Sequence, residues 1–215
     1  MLQITLAAVD ESLAEAWERF CGDLTFVHVH HGTIFDVHAD AYISPANSFG
    51  FMDGGLDMMY SQRFGWEVQK NLQQIIRQKH HGELLIGAAE IIETNARNPH
   101  FIIAAPTMRV PMILHETVNP YLAARAVFLL IEHGNFSEPN TLAGEKISSA
   151  VQSVVFPGLG TGIGGVGPNT CAKQVRAAID EFLIDRHTFP TTWADASLRH
   201  QLLYTDRPRN LHRDY

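Results

Sequence analysis

Short apolar runs alternate with segments of helical period along most of this chain, and that alternation limits the fold more than any other feature. Leu2–Val9 reads as a strand. Asp10 then caps a helix whose Leu13, Ala16, Trp17 and Phe20 share one face. Leu24–Val29 and Ala41–Ser44 read as the next two strands, and Leu56–Lys79 as a helix broken near Gly65. Leu84–Glu93 and Phe101–Ala105 are expected strands. A helix opened by Asn119–Pro120 and stopped at Gly134 follows them. After the turn-rich stretch Asn135–Lys146 comes a strand, Val151–Phe156, and then a helix, Asn169–Leu183. This order predicts a mostly parallel sheet with helices on both faces, and such sheets bind ligands outside the carboxyl ends of their strands.

The length of 215 residues suits one domain, and 46% hydrophobic residues suffice for a sizeable core. The expected division is a domain over 1–186 and a polar tail over 187–215. The tail's Trp193, Leu198, Leu202 and Leu203 form an apolar stripe that is expected to dock on the domain. A formal net charge of −7 argues against general nucleic-acid binding, although it leaves room for a single nucleotide held by backbone N–H groups. Cys21 and Cys171 form no CxxC pair and read as reduced core thiols of a cytoplasmic protein. The N-terminus lacks a basic leader pattern, and no apolar run approaches the ~18 residues that span a bilayer. The expectation is no membrane partner.

Two glycine-rich segments follow directly after expected strands, so they belong at one rim of the sheet. Six of the ten residues from Gly158 to Gly167 are glycine, far more than a tight turn requires. Such a stretch can cradle an anion, and a diphosphate fits best, with Thr161 adding a hydroxyl and the following helix its positive end. No lysine follows, so this is not a P-loop. The spacing GxGxxG is present at Gly160, Gly162 and Gly165, with Asp185 about 20 residues on. Yet only thirty residues remain after Asp185, too few for the rest of a dinucleotide-binding sheet. The other segment, "SPANSFGFMDGGLD", holds Gly50, Gly54 and Gly55. It also carries Asn47, whose amide suits vicinal hydroxyls, and Asp57, an acid in the first turn of the next helix.

Together these segments resemble the macro domain, an ADP-ribose-binding module. The family's first motif, roughly vDAIVNAAN followed by a glycine loop and an Asp, is similar to "ADAYISPANSFGFMDGGLD". Its second, roughly PxxxTGxxGxP, is similar to "PGLGTGIGGVGP". The resemblance implies a three-layer α/β/α sandwich with a mixed, mostly parallel sheet. It implies that Asn47 binds the distal ribose and that Asp57, a carboxylate of ordinary pKa, directs the attacking water. Gly160, Thr161, Gly162 and Ile163 would hold the diphosphate, with Gly54 and Gly55 closing from the other side. Ala46, Leu56, Pro157, Gly158 and Gly164 complete the expected ligand-binding set.

The chain also departs from the family. Thr33 follows Gly32 where the family often has an Asp that reads adenine. Ser44 and Pro45 interrupt the NAAN run, and Gly164 stands where an aromatic residue usually covers the ribose. Phe49 and Phe51 are candidates for the missing wall.

The implied ligand is ADP-ribose or an ADP-ribosylated substrate, with no cofactor. The first functional reading is a hydrolase that removes ADP-ribose from acidic side chains or a related ester. The alternatives are a binding module without turnover, an ADP-ribose 1″-phosphate phosphatase, and a protein-interaction scaffold. His28, His30 and His31 lack a ligand spacing for a metal, and none is expected. Arg109 could reach a phosphate but is expected to be solvent-exposed, and His115 could neighbour the site. Tyr60, Phe64 and Trp66 are expected in the core, and His80, His81 and His187 at helix ends.

Overall fold

The computed structural model describes residues 1–138, 140–184, 186 and 188–210. Asp185 and His187 lie outside the described residues. The elements run β1 (Gln3–Ala8), α1 (Glu11–Cys21), β2 (Val27–His31), β3 (Ala41–Ser44), α2 (Gly55–Phe64), α3 (Glu67–Lys79), β4 (Glu90–Glu93) and β5 (Phe101–Ala104). They continue with α4 (Asn119–His133), α5 (Ile147–Ala150), β6 (Ser153–Phe156), α6 (Pro168–Phe182) and α7 (Trp193–Leu202).

Six strands form one sheet in the order β2-β1-β6-β3-β5-β4. All neighbours pair in parallel except β4, which runs antiparallel to β5. Alternate residues of each central strand enter different cores, because successive side chains point to opposite faces. Ile4, Leu6, Ile43, Ile103 and Phe156 pack with Trp17 of α1, Val127 of α4 and Val175 of α6. Tyr42, Ile102 and Val155 pack on the other face with Tyr60 of α2 and Leu72 of α3. The result is the three-layer α/β/α sandwich with a mixed sheet.

Local chemistry sets the helix ends. Asp10 caps α1 by accepting from the Leu13 N–H at 3.1 Å. Proline lies in the first turn of both α4 and α6, where its missing N–H costs nothing. Gly65, at φ +93°, separates α2 from α3.

Several elements differ from the expected ones. Strand β2 starts at Val27 rather than Leu24, because Leu24 closes a turn: its N–H donates to Cys21 O and its carbonyl accepts from Val27 N–H. The run from Leu84 is not a strand until Glu90. Leu84 is buried, but the chain turns at Leu85–Ala88 with Gly87 at φ +94°. The one-turn helix α5 carries no sequence signal of its own. Trp66 lies on the surface at 48% exposure, while Tyr60 and Phe64 are buried as expected.

The tail's helix α7 forms under a Thr192 cap; of its apolar stripe Leu203 is half-buried and the other three side chains are exposed. Trp193 is 71% exposed, and Leu198 and Leu202 also face water. An ion pair between Lys173 of α6 and Asp206, at 2.8 Å, joins the tail to the domain.

Gln174 is fully buried in α6 and fixes the chain leading into α4. Its Oε1 accepts from Tyr121 N–H at 3.0 Å and its Nε2 donates to Thr117 O at 2.8 Å. Replacing it by leucine leaves both backbone groups without partners in the core. Gln174→Leu is therefore expected to lower stability by about 3 kcal/mol, read from urea denaturation as a lower midpoint at unchanged slope.

Candidate functional site

The carboxyl ends of β1, β6, β3 and β5 open on one cavity of about 540 Å³. Parallel pairing makes this unavoidable, since it turns the loops after all four strands to the same rim. The segment after β3 contributes Ala46, Asn47, Gly54, Gly55, Leu56 and Asp57 to the wall. The segment after β6 contributes Pro157, Gly158, Gly160, Thr161, Gly162, Ile163 and Gly164. Thr33 joins them from the turn that follows β2. Asn47, Asp57 and every residue of the expected ligand-binding set thus lie on this cavity; of the two candidate wall residues Phe51 lines it and Phe49 does not.

The first loop is held rigidly. Met52 N–H donates to Gln69 Oε1 at 2.7 Å, and Met52 O accepts from Ser61 Oγ at 2.7 Å. Asn47 belongs to the same scaffold. Its Oδ1 accepts from Phe49 N–H at 3.1 Å and from Phe51 N–H at 3.3 Å, and its Nδ2 donates to Phe51 O at 2.8 Å. The amide therefore shapes its own loop and keeps one N–H for a ligand.

The second loop is built the opposite way. It folds on itself through Val166 N–H to Gly160 O and Gly165 N–H to Gly162 O, both 3.0 Å. Among the described residues, the N–H groups of Gly160, Thr161, Gly162 and Ile163 have no acceptor. Four unpaired donors in sequence, on the wall of a cavity, suit an anion. Gly164 is required by close packing, because a Cβ there would sit 2.4 Å from Gly160 O. No aromatic side chain fits at that position in this loop. Ile163, largely exposed, is the apolar side chain the loop turns to the opening.

Asp57 is 7% exposed and accepts from Ser44 Oγ at 2.5 Å. Burial disfavours its charged form and raises its pKa to about 6, with the Ser44 hydrogen bond opposing the shift. This corrects the expectation of an ordinary carboxylate. Ser44, which interrupts the NAAN run, is what steadies that carboxylate. Thr33 accepts from Phe35 N–H at 3.4 Å, and its hydroxyl hydrogen is free to donate. Arg109 is committed elsewhere, with Nε 2.6 Å from Glu83 Oε1 and its guanidinium over the Phe49 ring. His115 is exposed beside the second loop, its Nε2 next to Gly165.

Other lining residues were not singled out in the sequence. Val9 and Asp10 follow β1, and Thr107, Met108 and Pro111 follow β5. The signal was available, because they too come directly after strands of the parallel sheet. Asn47 and Met108 even pair in a short parallel bridge that extends β3 and β5 into the rim.

The family model for the macro domain matches residues 43–175. The chain belongs to the macro domain family. An uncharacterized protein of Aquifex aeolicus is 28% identical over 73% of this chain and 82% of its own length. One from Aeropyrum pernix is 26% identical over 70% of this chain and 68% of its own. Among solved structures, the macrodomain of Mycobacterium tuberculosis DarG superposes with a TM-score of 0.54 at 18% identity, covering 70% of this chain and 87% of that one. A mutant Oceanobacillus iheyensis macrodomain, solved with ADPR, gives 0.55 at 20% identity over 71% and 75% of the two chains. The Trypanosoma brucei macrodomain in complex with ADP gives 0.52 at 13% identity over 86% and 58%. At these identities the structural likeness concerns the fold. The macro domain sheet is what brings the two glycine loops of this chain to one cavity.

The raised pKa of Asp57 has a consequence for stability. Below about pH 4 the group is protonated both folded and unfolded, and its burial carries no charge penalty. As pH rises through about 6 the buried group ionises and the penalty becomes complete. Asp57→Asn keeps the acceptor for Ser44 and removes the charge. It is expected to stabilise the protein by about 3 kcal/mol at pH 7, with the gain vanishing near pH 4. Thermal unfolding of both proteins across that range checks this.

Proposed function

We propose that the cavity binds ADP-ribose or a derivative, and that the protein hydrolyses ADP-ribose from acidic side chains or a related ester. The observation that carries this reading is the convergence of two glycine loops on one cavity, with the buried Asp57 on its wall. The unpaired N–H groups from Gly160 to Ile163 supply an anion cradle for the diphosphate. Gly54 and Gly55, at the start of α2, close on it from the opposite loop. The remaining amide hydrogen of Asn47 addresses a hydroxyl of the distal ribose. The Oceanobacillus and Trypanosoma structures were solved with ADPR and ADP, and the shared fold supports a ligand of that kind here.

In the hydrolytic step a water oxygen bonds to the anomeric carbon while the bond from that carbon to the ester oxygen breaks. The water proton passes to Asp57 and the amino-acid carboxylate departs. Ser44 occupies Oδ1 of Asp57, which leaves Oδ2 for the water. A pKa of about 6 keeps the group mostly ionised at pH 7 and makes it a better base than an ordinary carboxylate.

Release of ADP-ribose from a glutamate-linked substrate is the test. The rate should rise with pH through about 6 and then level. Asp57→Ala should lower it by roughly 10²-fold or more, with ADP-ribose binding by calorimetry retained. A second reading, binding without turnover, draws on the slight exposure of Asp57 and the commitment of the Asn47 amide to its own loop. Binding in the wild type with no release would establish it in place of the hydrolase.

A further inference from the structure

Among the described residues that line the cavity there is no Lys, Arg or His, whereas Asp10, Asp53 and Asp57 are all present. An anion in this cavity therefore depends on backbone donors, those of Gly160 to Ile163 and of the uncapped start of α2 at Gly55 and Leu56, and on no charged side chain. Any additional negative charge placed near Asp57 meets carboxylates and no compensating cation.

The apolar part of the lining has a different character; besides Val9, after β1, three large side chains on it are exposed. Phe51 is 53% exposed, Met59 45% and Ile163 65%, and all three line the cavity. Phe51 and Met59 flank the Asp53–Asp57 segment, and Ile163 stands on the facing glycine loop. Single exposed apolar side chains are ordinary, but large ones from the first glycine loop, from α2 and from the second glycine loop that line one cavity mark a contact surface. Gly164 cannot carry a side chain here, so Ile163 is the residue through which the second loop contributes to that surface.

We propose that Phe51, Met59 and Ile163 select ligands whose distal ribose carries an apolar group of several carbons, and that the same wall rejects a phosphate at that position. The inference rests on the binding of ADP-ribose proposed above. An apolar substituent gains by covering these side chains and being covered by them. A phosphate would place its charge in a cavity lined by Asp53 and Asp57 and by no cationic side chain.

Calorimetry with three ligands tests the inference: ADP-ribose, ADP-ribose bearing a butyl group on the anomeric oxygen, and ADP-ribose 1″-phosphate. The butyl form should bind roughly tenfold more tightly than ADP-ribose, since a partly buried four-carbon chain is worth about that much. The phosphate form should bind at least about tenfold more weakly. Phe51→Ser combined with Met59→Ser should bring the butyl form back to the affinity of ADP-ribose. Met59→Lys should improve the phosphate form about fivefold, the range of an exposed ion pair. Equal affinities for the three ligands in the wild type would overturn the selectivity and leave the ADP-ribose reading standing. Failure of ADP-ribose itself to bind would overturn both.

Discussion

Strand β6 pairs in parallel on both sides, with β1 and with β3, and the site depends on that double pairing. The register sets Leu6 beside Phe156 and Tyr42 beside Val155, so the ends of the three strands arrive together at one rim. The two glycine loops follow β3 and β6, over a hundred residues apart in the chain, yet they face each other across one cavity. Neither loop forms the cavity alone. One offers a carboxylate and the other unpaired N–H groups, and only the sheet makes them opposite walls.

The electrostatic character of the cavity follows from the same arrangement. Its surroundings are acidic, with a chain charge of −7 and three carboxylates on the lining. The donors such a cavity offers an anion are therefore fixed dipoles rather than mobile charges. Backbone donors held by the loop's own hydrogen bonds lose little entropy when they meet a ligand, whereas a lysine would have to be ordered first. Asn47 shows the related division of labour. Most of its hydrogen-bonding capacity goes into holding the first loop, and the rigidity so gained presents Gly54, Gly55 and Asp57 in fixed positions.

Much of this was legible beforehand because it is local. Period and caps identify α1, α4 and α6, and proline placement fixes two of their starts to within a residue or two. Glycine density marked both loops. The failures were also local in appearance. Leu84 looks like the start of a strand because it is apolar and buried, but Gly87 turns the chain before pairing begins. The stripe of α7 looks like a docking face, yet nothing in its periodicity says whether a partner surface exists, and Trp193 remains in water.

The sequence by itself determined the alternation of strand and helix, the positions of the two glycine loops, and the identity of the groups they carry. These depend on nearest neighbours and short periods, so they survive without knowledge of the fold. Only the tertiary structure decided that Asp57 is buried against Ser44 with its pKa pushed up to about 6, that most of the Asn47 amide is committed to its own loop, and that Gly164 has no room for a side chain. Desolvation and steric exclusion are set by atoms distant in the chain, and no local pattern records which atoms those are.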